Sequence, residues 1–189
     1  MVKVIGFIFL TIFLFLAGCQ KSDQVEHLYQ EAEGLEKQIL NGLDALSTSK
    51  ANYEKIIVLY PDSKYVPSAY YKLGKLNEIF EHYDEALDFY KKLVMLYPQE
   101  QICGDALLNL GNIYENKKNN KREAENLYKQ LSEFYPSHNA NLEALIQLGQ
   151  FSGKDNAWEK AVLYFEKAFE RFPNAKVADD ILYRIADIY

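Results

Sequence analysis

Val58-Leu59-Tyr60-Pro61, VLYP, returns in variant form as MLYP ending at Pro98, EFYP at Pro136 and ERFP at Pro173. The steps between these prolines are 37, 38 and 37 residues, and a fixed period of this size marks a chain that builds one structural unit over and over. Proline has no N–H to donate and biases the residue before it away from the helical region. A helix arriving at each aromatic-proline step therefore ends there, and the chain turns into the next unit.

A second order lies inside each period. Leu73-Gly74, Leu110-Gly111 and Leu148-Gly149 come first, Ala86, Ala124 and Ala161 follow, and Tyr90, Tyr128 and Phe165 come next before the proline. Small residues allow two helices to cross closely, and the aromatics fill the space below the crossing. The pattern resembles the tetratricopeptide repeat, a helix-turn-helix unit of about 34 residues, with leucine-glycine in helix A, alanine and aromatic in helix B, and proline at the end. The resemblance implies an all-α fold, a right-handed superhelical solenoid of antiparallel helix pairs. On this register the repeats run 30–63, 67–100, 104–138 and 142–175, with a partial fifth over 179–189 and the whole array over 30–189. The third carries one extra residue, assigned to the loop ENKKNNKRE at 115–123. In the first, Tyr53 and Pro61 fit, but Ser49 stands at the alanine position and Lys37 at the glycine position, which suggests a helix A shifted by one residue. An unrelated helical bundle would need no such period. Stacked neighbours supply each hairpin's core, so about three repeats are the minimum for stability.

Composition agrees with helix and restricts the partners. Five prolines, four of them in the repeated motif, and nine glycines among 189 residues leave little material for hairpins. Lys and Arg total 21 against 27 acids, a net charge of −6, so duplex nucleic acid is a poor partner, because phosphate binding depends on clustered positive charge. The one basic run, Lys117-Lys118 with Lys121-Arg122, lies among asparagines and reads as a solvated loop, the alternative being a phosphate or headgroup patch.

The chain opens differently. Residues 4–16, VIGFIFLTIFLFL, form an apolar run behind Lys3, too short for the roughly 20 residues of a spanning helix and of the length of a signal-peptide core. It leads into Leu16-Ala17-Gly18-Cys19, which resembles the lipobox of bacterial lipoproteins. The resemblance implies a signal peptide over 1–18, an acylated Cys19 as first mature residue holding the chain on a lipid bilayer, and a tether over 19–29. Several acyl chains give lasting attachment where one gives marginal attachment. Gln20 in place of aspartate implies the outer membrane, periplasmic side, if the source is Gram-negative. With Cys19 committed, Cys103 is left alone between two repeats and reads as a small packed apolar residue, a reactive thiol being the alternative.

His27, His82 and His138 stand at no metal spacing, Glu78 and His82 share an i, i+4 relation that reads as a surface pair, and no nucleophile elbow, P-loop or dinucleotide turn occurs. The expectation is a non-enzyme without cofactor or metal. In the repeat, helix A lines the concave side. The register puts Ser68, Tyr71, Lys75 and Glu78 there, then Asp105, Leu108, Asn112 and Glu115, then Glu143, Ile146 and Gln150, and finally Asp180, Tyr183 and Asp187. Tyr71, Leu108, Ile146 and Tyr183 form an apolar row with acids and amides beside it, which reads as a docking groove or as packing between neighbouring helices. Relatives that clamp a peptide carboxylate place lysine where Tyr71, Leu108 and Ile146 stand, so an apolar segment is the expected ligand.

Among lipidated proteins the chain resembles the tetratricopeptide lipoproteins of outer-membrane protein assembly and the coordinator of the Tol-Pal system. The resemblance implies a membrane-anchored adaptor docking envelope proteins or peptide segments. A cell-wall or carbohydrate ligand-handling lipoprotein is the other reading. The last stretch, ADDILYRIADIY, offers Ile181, Leu182, Ile185, Ala186, Ile188 and Tyr189, more apolar residues than one contact with the fourth repeat needs. A longer chain or a covering partner is expected.

Overall fold

The computed structural model describes residues 21–37 and 43–188. The expected signal segment 1–18, Cys19 and Tyr189 lie outside the described residues. Among those described there are nine helices and no strand. They are α1 (21–37), α2 (Leu43–Leu59), α3 (Val66–Ile79), α4 (Tyr83–Leu96), α5 (Ile102–Asn116), α6 (Lys121–Phe134), α7 (Ala140–Lys154), α8 (Trp158–Arg171) and α9 (Ala178–Ile188). Contacts divide the chain into two compact blocks, one ending at Phe80 and one beginning at Glu81. Helices α1 to α3 belong to the first and α4 to α9 to the second.

The aromatic-proline step builds the same turn each time. The N–H of Tyr60, Tyr97, Tyr135 and Phe172 donates to the carbonyl four residues back, at 3.0, 2.9, 3.0 and 3.0 Å, closing the last turn of α2, α4, α6 and α8. At Tyr97, Tyr135 and Phe172 the backbone then leaves the helix, with φ of −131°, −129° and −131°, as proline at the next position demands. Each aromatic carbonyl next accepts the N–H three residues on, from Ser63, Glu100, His138 and Ala175, at 2.9 to 3.1 Å, a β-turn with proline at its second position. The carbonyls of those four residues accept the N–H groups of Val66, Cys103, Asn141 and Ala178, which start or enter the next helix.

Within a repeat, the connection before helix B is equally regular. Glu81, Asn119 and Asn156 occupy the left-handed region, with φ of 60°, 49° and 56°, a conformation that asparagine tolerates better than other residues with a Cβ. The extra residue of the third repeat falls here: four residues separate α5 from α6, where three separate α7 from α8. The basic run around it makes specific contacts. Lys118 pairs with Asp84 at 2.5 Å, Lys121 with Asp155 at 2.5 Å, and the Lys117 ammonium lies 4.9 Å from the Tyr83 ring centre. Lys118 and Lys121 thus tie neighbouring repeats together.

In the second block the helix crossings are set by glycine against ring. A Cβ on Gly111 would run into the Tyr128 ring, and one on Gly149 would lie 2.5 Å from Cε1 of Phe165. Ala124 and Ala161 are fully buried, as are Tyr128, Leu131 and Leu145. At the end of the array, α9 packs Ile181, buried, with Ile185 and Ile188, partly buried, against Leu145, Ala161, Phe165 and Ala168. Leu182 and Tyr183 stay 45% and 72% exposed. The apolar excess expected of this helix is therefore confined to its outer side.

The first repeat departs from the sequence register. Residues 21–29, expected as a tether, are the opening turns of α1, with Val25 buried. Lys37 is exposed, and Ala32, five residues earlier, takes the small-residue position, fully buried, with its carbonyl accepting from the buried Ser49 hydroxyl at 2.9 Å. The shift is five residues: five residues separate α1 from α2 where three or four separate the later pairs, and α2 begins six residues before Ser49 where the later B helices begin three before their alanine. Counting back from Pro61 assumed a connection of standard length.

These crossings predict two opposite outcomes. Gly111→Leu should destabilise the protein by at least about 3 kcal/mol, the upper range of overpacking. Gly34→Ala, where no atom lies within 4 Å of an added Cβ, should be neutral or stabilising by up to about 1 kcal/mol. Urea unfolding of both variants decides; equal costs would show that glycine at the crossing is not what sets the packing.

Candidate functional site

Successive A helices carry the expected groove residues at i, i+3 and i+4 spacing, which places them on one helix face. In the second block, α5 presents Asp105, Leu108, Asn112 and Glu115, α7 presents Glu143, Ile146 and Gln150, and α9 presents Asp180, Tyr183 and Asp187. Leu108, Asn112, Glu115, Ile146 and Gln150 are half-buried, while Tyr183 is open. Ile146 reaches the core cluster of Leu145, Ala161, Phe165 and Ile181 from its edge, so it both packs and lines the face.

The polar residues are joined through a helix B tyrosine. Tyr128 OH lies 2.7 Å from Asn112 Oδ1 and 2.9 Å from Glu115 Oε2, and its single proton is shared between these acceptors. Asn112 Nδ2 donates in turn to Glu143 Oε1 at 3.5 Å, linking α5 to α7. Burial and then Glu115 hold the Tyr128 phenol far above its usual pKa, so it remains a donor. At the other end of α5, Ala140 N donates to His138 Nδ1 at 3.1 Å, leaving Nε2 to face Asp105 Oδ2 at 3.6 Å. The ring sits over Gly104, where a Cβ would come 2.6 Å from His138 Cγ.

The fourth repeat lacks both members of the tyrosine–glutamate pair. Phe165 stands where Tyr128 would be and Gly153 where Glu115 would be. An open cavity of about 420 Å³ occupies the region, lined by Gly149, Gln150, Gly153, Trp158, Phe165 and Arg184 among others.

In the first block, Ser68, Tyr71, Lys75 and Glu78 lie along α3, with Lys75 Nζ 3.6 Å from Glu78. Residues beside them meet α1. Tyr29 stacks on Tyr65 with ring centres 4.7 Å apart, meets Tyr53 edge-on at 5.6 Å, and hydrogen-bonds Ser68. Lys72 Nζ bonds Glu36 at 2.7 Å and Glu33 at 3.5 Å. Burial alone would lower the Lys72 pKa, but Glu36 together with Tyr29 and Glu33 outweighs it and the ammonium is held above its usual value. Glu36 also faces Tyr53, whose phenol is pushed up by burial and then by this carboxylate, as Glu115 acts on Tyr128. Sequence reasoning missed Tyr29, Glu33 and Glu36. Tyr29 precedes Ala32 by three residues just as Tyr71 precedes Gly74, but the misplaced register hid the match.

Among the described residues, no group of three or more His, Cys, Asp or Glu side chains is arranged to hold a metal. Glu78 and His82 do not share a helix: α3 ends at Ile79, and His82 caps α4. Cys103 lies inside the first turn of α5 and not between repeats; it is fully buried, and its thiol contacts the Tyr97 carbonyl at 3.1 Å. Burial raises its pKa, which suppresses the thiolate.

Comparison with known proteins agrees with this architecture. Residues 67–100 and 105–138 each match a tetratricopeptide repeat family model. These two stretches are tetratricopeptide repeats. The fold of the chain is shared with a solved structure of MamA, at 23% identity and TM-score 0.59 over 78% of this chain and 77% of that one. YrrB, described as a TPR protein with an unusual peptide-binding site, aligns at 21% identity and TM-score 0.57 over 85% and 84% of the two chains. BtubC from P. vanneervenii aligns at 13% identity and TM-score 0.58 over 88% and 82%. No curated protein matches the sequence significantly. The tetratricopeptide fold supports a protein-interaction scaffold.

The contrast between the third and fourth repeats yields a prediction. Tyr128→Phe leaves Asn112 and Glu115 without their shared donor and should cost about 1 to 2 kcal/mol. Adding Glu115→Gly, which recreates the fourth repeat's pair, should cost less than the sum of the two single changes. Strict additivity in urea melts would mean that the hydroxyl and the carboxylate are energetically independent.

Proposed function

We propose that this chain is a membrane-anchored protein-interaction scaffold of the bacterial envelope, on the outer membrane where the source is Gram-negative. It docks an extended or helical apolar segment of another envelope protein on its A-helix face. The observation that carries the reading is the side-chain pattern of that face: half-buried Leu108 and Ile146 and exposed Tyr183, with the hydrogen-bonded Asn112, Glu115 and Glu143 alongside. An apolar strip supplies contact area, and fixed polar groups beside it set orientation and register. YrrB, a TPR protein with an unusual peptide-binding site, supports the choice of a polypeptide ligand. Tyr71, Lys75 and Glu78 hold the equivalent positions in the first block.

Anchoring rests on Leu16-Ala17-Gly18-Cys19 behind the apolar run. No described helix is long and apolar enough to cross a membrane. The attachment proposed is through acyl chains on Cys19. Work on outer-membrane protein assembly is the specific task proposed.

Two measurements test the reading. Metabolic palmitate labelling should be lost in Cys19→Ser, with unprocessed precursor accumulating; labelling that persists removes the anchor. A photo-crosslinking amino acid at Tyr183 should capture an envelope protein from intact cells, whereas the same group at exposed Glu166 on α8 should not. Equal capture from both positions, or retention on peptidoglycan instead of protein, would replace the docking face with a different role.

A further inference from the structure

The lipidated cysteine and the first helix are too close together for the repeat array to float free of the membrane. Cys19 is two residues from Lys21, where α1 is already helical, so their Cα atoms are at most about 7.6 Å apart. No slack follows, because α1 is packed: Val25 and Ala32 are buried, and Tyr29 is held between Tyr53 and Tyr65. Whatever surrounds Lys21 must meet the bilayer that holds the acyl chains.

What surrounds it is suited to that contact. An open cavity of about 490 Å³ lies between the first turn of α1 and the turn following α2, bounded by Lys21, Val25, Leu59, Tyr60, Pro61 and Lys64. Tyr60 OH donates to Gln24 Oε1 at 3.4 Å, joining the two segments. Beside it, at the end of α2, Val58 and Leu59 are 72% and 63% exposed, among the most exposed large apolar side chains described. Lys21 makes no ion pair among the described residues, and Lys64 engages only the Tyr65 ring, at 5.0 Å. Apolar side chains flanked by tyrosine and lysine suit the boundary between headgroups and acyl chains, where aromatic rings settle and ammonium groups reach lipid phosphates. Asp62 lines the same cavity and Asp23 follows Lys21 by two residues in the sequence; these carboxylates offset the lysine charge, so attachment does not require a strongly anionic surface.

We propose that this face of the first block, the start of α1 with residues 58–64, is a membrane-docking surface whose occupant is the phospholipid interface carrying acylated Cys19. It turns a lipid tether into a rigid mount. The inference rests on the acylation of Cys19 in the proposed function.

Spin-label depth measurements test it on the full-length acylated protein in vesicles of phosphatidylethanolamine and phosphatidylglycerol, with acylation verified by mass. A nitroxide on Leu59→Cys should be exposed to oxygen and shielded from a water-soluble nickel relaxant, as at a depth of about 5 to 10 Å. One on Glu31→Cys, exposed and ten residues further along α1, hence about 15 Å away along the helix, should report water. Buried Cys103 stays unlabelled in the native protein. A Leu59 label as accessible to nickel as the Glu31 label, on protein whose acyl mass is confirmed, overturns the docking surface and leaves the anchor standing. An unmodified Cys19 overturns both.

Discussion

Closeness without a side chain organises the second block. Gly111 and Gly149 permit the rings of Tyr128 and Phe165 to lie directly on helix A backbone, and that contact fixes how far apart the helices of a hairpin stand. The ring's position then decides where its substituent goes. Because the Tyr128 ring packs against Gly111, its hydroxyl emerges between Asn112 and Glu115 of α5. A packing constraint thereby arranges the polar groups of the exposed face, and the core and the candidate site are two sides of one contact.

That coupling explains which features could be read from residues alone. Gly111 with Tyr128, and the aromatic-proline turns at 97–98 and 135–136, announce themselves because only a few residue types satisfy such geometry, and they recur at fixed spacing. The first repeat was misread for the same reason in reverse. Alanine can stand at a crossing when its neighbour is accommodating, as Ala32 does beside Ser49, and a longer connection together with an earlier start of α2 broke the spacing on which the register depended. Tyr29, Glu33 and Glu36 were lost with it. The positions of Leu108, Asn112 and Ile146 along their helices were legible; their hydrogen bonds were not, since whether Asn112 meets Glu143 or water depends on rotamers that period and pattern leave open.

The fourth repeat shows how the same frame varies. Replacing a tyrosine by Phe165 and a glutamate by Gly153 together removes a donor and its acceptor in one step, so neither is left buried and unpaired. The frame survives because the ring, not the hydroxyl, supports the crossing. The cavity there is lined by the aromatic rings of Trp158 and Phe165 and by polar Gln150 and Arg184, a different local environment on the same scaffold.

Lys118 with Asp84 and Lys121 with Asp155 join residues 34 positions apart, and Tyr135 with Pro98 joins residues 37 apart. No interaction of the second block described above reaches much further along the chain than one repeat. Such low contact order lowers the entropy lost in closing each loop and favours rapid folding. It also permits assembly in sequence order: a repeat can be completed as soon as the next has emerged, without waiting for the carboxyl end. A chain delivered in extended form, amino end first, could thus build its structure progressively from that end while the remainder was still arriving.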